Sequence, residues 1–332
     1  MLPTTEIRIS ASGVRSLVWD GPSLVDWAAG GQRYFFNGET VSGPVRYAYP
    51  FDAAVSLPGT SFSAIYARGG TKGLILRDGE ILREINRSYY FAAAYEYPIA
   101  LFRLRSGREV LAHCPDGYSR LEIEDLATGE ALTRSTARQP SDFFHSRLSA
   151  TPDGRYLVSA GWLWHPVDEV RVFSVDAALD DPGHLDGRGL DIDAWAEGSS
   201  ATFSADGRLT VALFGIERDE DEGDEAEATT TELRSFDLNR PSQPVIAHAP
   251  ERLGTVMAVG TDHLLALHDH PRLVDVRSGA VVQSWPHIRS GTQTSSIFDP
   301  AVGIPATALD PMGLRCAIAD GTGITVLEFG TP

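Results

Sequence analysis

Lysine is all but missing from this chain: 27 of its 28 basic residues are arginine, and Lys72 stands alone. A phosphate loop of the Gly-Lys-Ser/Thr kind is thereby excluded, because Lys72 is followed by Gly73. Schiff-base chemistry has a single candidate residue. The arginine bias fits a GC-rich bacterial genome. Cysteine is scarce as well. Cys114 and Cys316 are too few and too distant in sequence for a disulfide framework, which fits a reducing cytoplasm. No run of 18 apolar residues occurs, so no membrane-spanning helix is expected. The segment Met1 to Ser10 lacks a basic stretch followed by an apolar one, so no secretory signal is expected. Positive charge is in deficit, with 28 Lys+Arg against 45 Asp+Glu and a net charge of −17. That balance argues against nucleic acid or an anionic membrane as partner. Cys-x-x-Cys, His-Glu-x-x-His, Gly-x-Ser-x-Gly and Gly-x-Gly-x-x-Gly are all absent, so no enzymatic turnover and no cofactor are expected.

What the chain does have is periodic glycine turns. One set, at Gly59, Gly107, Gly154, Gly207 and Gly313, is spaced by 48, 47, 53 and 106 residues, the last twice 53. One unit in that interval lacks the turn. A second set, at Gly38, Gly79, Gly129 and Gly279, is spaced by 41, 50 and 150, the last three times 50. Two interleaved ladders with one period mark a repeat protein. Between the turns lie short apolar or alternating runs such as 155–160, 170–175, 263–267 and 323–329, which read as strands. No segment keeps a helical apolar period for three turns.

Four short antiparallel strands per repeat of this length are the pattern of a β-propeller blade. The 332 residues form a single all-β domain of seven such units, at about 14–48, 49–92, 93–140, 141–197, 198–249, 250–300 and 301–329. The last unit has three strands of its own. The spare N-terminal strand, at 4–10, is expected to supply its fourth and close the ring.

Ala150-Thr151-Pro152-Asp153-Gly154-Arg155-Tyr156-Leu157-Val158-Ser159 resembles the second strand pair of WD40-type repeats. Asp125-Leu126-Ala127-Thr128-Gly129 and Asp275-Val276-Arg277-Ser278-Gly279 resemble the end of their third strand and its turn. The family's Gly-His and Trp-Asp dipeptides are not in register here, and Trp19-Asp20 ends a first strand instead. The resemblance implies a seven-bladed ring that serves as an interaction platform, and it carries over no catalytic residue.

Candidate site residues fall between strands. Tyr89, Tyr90 and Phe91 separate units two and three, and Phe143 and Phe144 separate three and four. Trp162, Trp164 and His165 sit between the second and third strands of unit four. The run Glu217 to Glu227 holds eight carboxylates and one arginine, with Glu217, Asp219, Glu220, Asp221 and Glu222 at its start. In a propeller, fourth-to-first connections and second-to-third loops emerge on one face, so all these groups share it, as do His268 and His270. Aromatic rings beside charge give that face interface composition. His268-Asp269-His270 has no assignable third ligand, so no metal is expected. Asn86-Arg87-Ser88 fits a glycosylation pattern that means nothing without a leader. The expected protein is a cytoplasmic, monomeric, non-catalytic scaffold for a protein partner, which the acidic run would suit if basic. The competing readings are an immunity or antitoxin protein masking a basic toxin, and a lactonase-like propeller hydrolase with a site in the channel.

Overall fold

The computed structural model describes residues 4–164, 167–215, 230–299, 303–310, 312 and 314–330. The apolar runs between glycine turns become strands, and consecutive strands gather into small antiparallel sheets. The first strand, β1 (Thr4–Ser10), stands apart from those that follow it. Blade 1 contains β2 (Val18–Asp20), β3 (Ser23–Asp26), β4 (Gln32–Tyr34) and β5 (Thr40–Val41). Blade 2 contains β6 (Ala53–Ser56), β7 (Phe62–Tyr66), β8 (Lys72–Arg77) and β9 (Glu80–Asn86). Blade 3 contains β10 (Ile99–Arg103), β11 (Glu109–His113) and β12 (Glu122–Asp125). Blade 4 contains β13 (Leu148–Ala150), β14 (Tyr156–Leu163), β15 (Val167–Ser174) and β16 (Trp195–Ala196). Blade 5 contains β17 (Gly198–Phe203), β18 (Leu209–Phe214), β19 (Thr231–Phe236) and β20 (Val245–Ala249). Blade 6 contains β21 (Val256–Val259), β22 (His263–Ala266), β23 (Arg272–Asp275) and β24 (Val281–Ser284). Blade 7 contains β25 (Thr307–Leu309), β26 (Arg315–Ala319) and β27 (Gly323–Phe329), with β1 on the outside of β27.

The first strands of successive blades, from β25 through β2, β6, β10, β13 and β17 to β21, touch one another and so line the axis. Middle strands such as β7 and β14 are buried on both faces because a blade packs on either side of them. Outer strands such as β9 are mostly exposed. Seven separate apolar cores join neighbouring blades pairwise all the way round, including one of Ile9, Trp19, Tyr34, Ala317 and Val326 that joins blade 7 to blade 1. The ring is closed. It is a seven-bladed β-propeller, with the N-terminal strand completing the last blade as the sequence predicts.

The turn ladder is more complete than its glycine spacing implies. The interval between Gly207 and Gly313 is not empty: Gly260, at φ 65°, makes the turn from β21 to β22. Gly21, at φ 58°, does the same between β2 and β3. In both, glycine supplies the positive φ that other residues adopt only with strain. The two turns that resemble WD40 repeats are the same object. Asp125 Oδ1 accepts from the backbone N–H and hydroxyl of Thr128 at 2.7 and 2.8 Å, and Asp275 Oδ1 does so from Ser278 at 2.8 and 2.7 Å.

Two blades depart from the pattern, each for a local reason. Blade 3 has its fourth strand reduced to one bridge, Glu124↔Ala131, because the Thr133 hydroxyl takes the Ile123 N–H at 2.8 Å in place of a ladder carbonyl. In blade 4 the third-to-fourth turn is replaced by α1 (Val175–Asp180), with Ser174 as N-cap accepting from Ala177 N–H at 3.3 Å. That insertion accounts for a missing rung of the second glycine ladder.

The connection from β24 to β25, residues 285–306, does not pass directly to the next blade. It bridges Asp269 of blade 6 at Gly291, and a Cβ on Gly198 of blade 5 would lie 2.7 Å from the Thr294 oxygen. Ser295 and Ser296 bond to Asp168 of blade 4, and Ile297 bridges Tyr95 ahead of blade 3. Phe298 N–H then donates to Ala94 O at 2.7 Å. This strap visits blades 6, 5, 4 and 3 in turn before coming back to blade 7.

Candidate interaction face

The segments that carry the aromatic groups are all fourth-to-first connections or second-to-third loops, and the structure brings their rings into one cluster. Tyr90 stacks on Tyr118 with centroids 5.1 Å apart, Tyr118 on Phe144 at 4.1 Å, and Phe144 on Trp162 at 4.0 Å. Trp164 stands edge-on to Phe91 at 5.0 Å, to Phe144 at 5.4 Å and to Trp162 at 5.4 Å. Such offset and edge-to-face pairs add to what burial supplies.

The rings divide by burial. Tyr89 is 83% exposed, Tyr90 46%, Phe91 47% and Trp164 39%. Phe143, Phe144 and Trp162 lie inside, which corrects the expectation that the whole set faces a partner. Phe144 and Trp162 exchange backbone hydrogen bonds at 2.9 and 3.1 Å, so their rings are fixed side by side beneath the surface. A Cβ on Gly161 would collide with the Phe144 carbonyl oxygen, and glycine there permits that approach. The buried rings are the base on which the exposed ones rest.

Two features hold the exposed rings in place. Arg87 is buried, and its guanidinium donates to the carbonyls of Gly70, Arg68, Ala92 and Tyr95 at 2.7 to 3.0 Å. Those bonds fix the loop that carries Tyr89 to Phe91. Phe91 itself has φ 51°, a left-handed conformation that an aromatic residue adopts at a cost of about 1 to 3 kcal/mol. Strain of that kind persists where surrounding structure over-determines it, here through Arg87 and through the 3-10 turn Ala92–Ala94. The phenol of Tyr118 donates to Asp142 Oδ1 at 2.7 Å, and burial together with that carboxylate pushes its pKa up to about 12.

Under the stack lies His145, buried, with Nδ1 3.1 Å from Ser159 Oγ and its ring edge-on to Phe143. Burial, reinforced by the Arg171 charge, pushes its pKa down to about 3. The unfolded chain takes a proton near pH 6.5 that the folded chain refuses until about pH 3. This contribution to stability is therefore full above the ordinary histidine range and is lost as pH falls through it. Between pH 7 and 5 the loss amounts to about 2 kcal/mol. Urea unfolding at the two pH values should show a loss smaller by that amount in His145→Gln than in the parent. Equal losses would mean that His145 titrates freely.

The remaining candidates separate from this cluster. His165 and the acidic residues Glu217, Asp219, Glu220, Asp221 and Glu222 lie outside the described residues. His268 and His270 flank Asp269, whose φ of 64° breaks the extended geometry in which alternate side chains share a face. His270 Nδ1 lies 3.1 Å from Asp269 Oδ2. Among the described residues no three of His, Cys, Asp or Glu are grouped to hold a metal ion. Both cysteines are free and buried; burial raises the Cys114 thiol well above its usual range and Cys316 to about 12.

Sequence reasoning placed Tyr95 in the aromatic group between units two and three but missed Tyr118, the part played by Arg87, and the strap. Tyr118 was detectable, since it lies between the second and third strands of blade 3 and so on the same face as the other rings. The strap had a signal too: residues 285–306 are far longer than a usual connection between neighbouring strands.

No protein-family model matches the chain, and no curated protein sequence does. A search of solved structures finds the fold in 1060 chains, so the ring alone selects no function. One of them, in the crystal structure of the mitotic checkpoint complex, has a TM-score of 0.60 at 11% identity, covering 99% of this chain and 91% of that one.

Proposed function

We propose that the protein is a WD40-like, non-catalytic interaction platform of the bacterial cytoplasm, which as a monomer holds a protein partner on the Tyr90–Phe91–Trp164 patch. The observation that carries this reading is a strained, exposed aromatic set mounted on a rigid buried stack. Large rings fixed in advance lose little entropy on binding, which is how interface anchors gain affinity. Other exposed apolar side chains, such as Val245 and Ile246 of β20, lie on an outer strand and are not part of this cluster. That the structural neighbour belongs to a multiprotein complex is in keeping with a scaffold role.

The test is a pull-down from native cytosol, with the parent and a Tyr90→Ala/Phe91→Ala/Trp164→Ala variant as baits. The partner should be lost from the variant, and each principal anchor should cost about 2 kcal/mol, roughly thirtyfold in affinity. Thermal midpoints should fall only modestly, since each ring is about half exposed and the buried stack beneath stays intact. A variant that retains every captured protein removes the patch from the reading. If the partner is basic, deleting residues 217–227 should slow association and flatten its salt dependence, because exposed charge steers more than it holds.

A further inference from the structure

On the same face as the aromatic patch, but over blades 7, 1 and 2, a cavity of about 990 Å³ opens between the loops and the strap. It is bordered by three arginines, Arg15, Arg68 and Arg289. Arg68 sits deep, its side chain 20% exposed, with Glu96 Oε1 no nearer than 4.0 Å and already accepting the Tyr66 hydroxyl at 3.0 Å. Arg15 and Arg289 are exposed at the rim, and among the described residues neither guanidinium has an ion pair or hydrogen bond. The acidic residues of the lining are engaged. Asp52 Oδ1 accepts the Arg68 backbone N–H at 2.7 Å, Asp320 pairs with Arg8 at 2.7 Å, and Asp299 too has a partner. Phe51, Phe298, Ile304 and Pro305 give the cavity an apolar wall.

Arg15 and Arg289 without side-chain partners, and Arg68 with its carboxylate partner Glu96 only at 4.0 Å, stand around one cavity in a protein of net charge −17, where most other arginines among the described residues meet a carboxylate at closer range. Guanidinium groups are built for carboxylate and phosphate, which they engage through paired N–H donors. The volume far exceeds that of a bare oxyanion and falls in the range of small-molecule sites. We infer that this cavity binds an organic anion, a carboxylate or phosphate ester carried on an apolar body, with Arg68 at its base and Arg15 and Arg289 at its rim. The cavity adjoins the loop that carries the aromatic patch, through Ala93 and the Arg68 carbonyl, but its arginines are not among the rings of the patch, so variants of each test the two readings separately.

Calorimetric titration of the purified protein at low salt tests it with four probes: 3-phenylpropanoate, phenyl phosphate, inorganic phosphate and the neutral 3-phenylpropanamide. At least one of the two aromatic anions should bind, inorganic phosphate should bind about tenfold more weakly or not at all, and the amide should not bind. Whichever aromatic anion binds tighter identifies the headgroup. Arg68→Gln should weaken binding about tenfold or more. The double variant Arg15→Gln/Arg289→Gln, at exposed positions that leave folding intact, should do the same. Tyr90→Ala/Phe91→Ala/Trp164→Ala should bind the probes as the parent does. Failure of both aromatic anions to bind, equal binding of the amide or of inorganic phosphate, or indifference to the arginine variants would each overturn the assignment.

Discussion

A chain lacking residues 1–10 should lose cooperative folding or aggregate on expression. β1 pairs with β27 along its whole length, from Thr4↔Phe329 to Ser10↔Gly323, and it is the outer strand of blade 7. Without it, β27 becomes an unpaired edge of seven residues whose burial is otherwise nearly complete, a template for pairing with other chains. Ile9, 1% exposed, leaves the core between blades 7 and 1, and burying such a side chain is worth about 2 kcal/mol. The Arg8–Asp320 pair goes too; half-exposed, it adds little, about 0.5 kcal/mol. The Thr4–Gln283 bond between side chains of β1 and β24, at 2.6 Å, is also removed, so blade 6 loses a tie to blade 7. Size-exclusion chromatography and urea unfolding of the truncated protein measure the effect. A synthetic peptide of residues 1–12 added during refolding should restore part of the soluble yield. A truncated chain that is monodisperse and unfolds at the parent's midpoint would show that the ring does not depend on this closure.

Closure also explains how the chain manages edges elsewhere. Several outer strands are short, charged or both: β5 is two exposed residues, β16 is two residues, and β9 runs Glu-Ile-Leu-Arg-Glu-Ile-Asn with most positions exposed. Charged, brief edges discourage pairing between molecules. The exposed rings of Tyr89, Tyr90, Phe91 and Trp164 gather on the loop face, where segments from three blades meet. That distribution separates cohesion, which lives between blades, from recognition, which lives on the loops.

The architecture was legible because a propeller repeats its turn chemistry. Positive-φ glycines at fixed offsets, and Asp-x-x-Thr/Ser-Gly turns at Asp125 and Asp275, are local requirements that each blade must meet by itself. The gap left between Gly207 and Gly313 closed at Gly260, where glycine leads the turn as Gly-Thr-Asp rather than following an aspartate. The site was legible only as a list of loops. Chain order puts Phe144, Trp162 and Trp164 on one face, but whether a ring points outward or under its neighbours depends on packing between segments distant in sequence. Trp162 and Trp164 look alike in the sequence; one is 4% exposed and the other 39%. The strap's length was visible, but its path was not, for the same reason. Its serines and glycines read as an ordinary polar loop, and its partner, Asp168, opens a strand over a hundred residues earlier.

That partner should be the costliest single side chain to lose. Asp168 is fully buried at the start of β15, and its Oδ2 accepts from the N–H groups of both Ser199 and Ser296 at 2.9 Å. Oδ2 also takes the Ser199 hydroxyl at 3.3 Å, Oδ1 takes those of Ser295 and Ser296 at 2.9 and 2.6 Å, and Arg147 approaches Oδ2 to 3.4 Å. Burial pushes the carboxyl above the usual aspartate range, while Arg147 and the serine donors pull it back. One carboxylate thus ties three blade-length stretches of chain together: β15, β17 and the strap. Asp168→Ala would leave these donors buried without an acceptor, and Asp168→Asn would turn an amide N–H₂ either toward the backbone N–H groups, which can only donate, or toward serine hydroxyls that would have to reverse their bonds. Each should cost about 3 to 5 kcal/mol in urea unfolding, the range for breaking a buried charged network on one side. Arg147→Ala should cost less, because that guanidinium is partly exposed and its contact is long. The readout specific to the strap is amide hydrogen exchange at Ser296 and Phe298, whose N–H groups donate to Asp168 and to Ala94 O. Both amides should exchange far faster in Asp168→Ala than in the parent, while the amide of Ile65 in β7, in the core between blades 1 and 2, slows or quickens only with global stability. If Ser296 and Phe298 kept the parent's protection, the strap would be held by its backbone bridges at Gly291 and Ile297 alone, and Asp168 would be a buried charge with no part in fixing it.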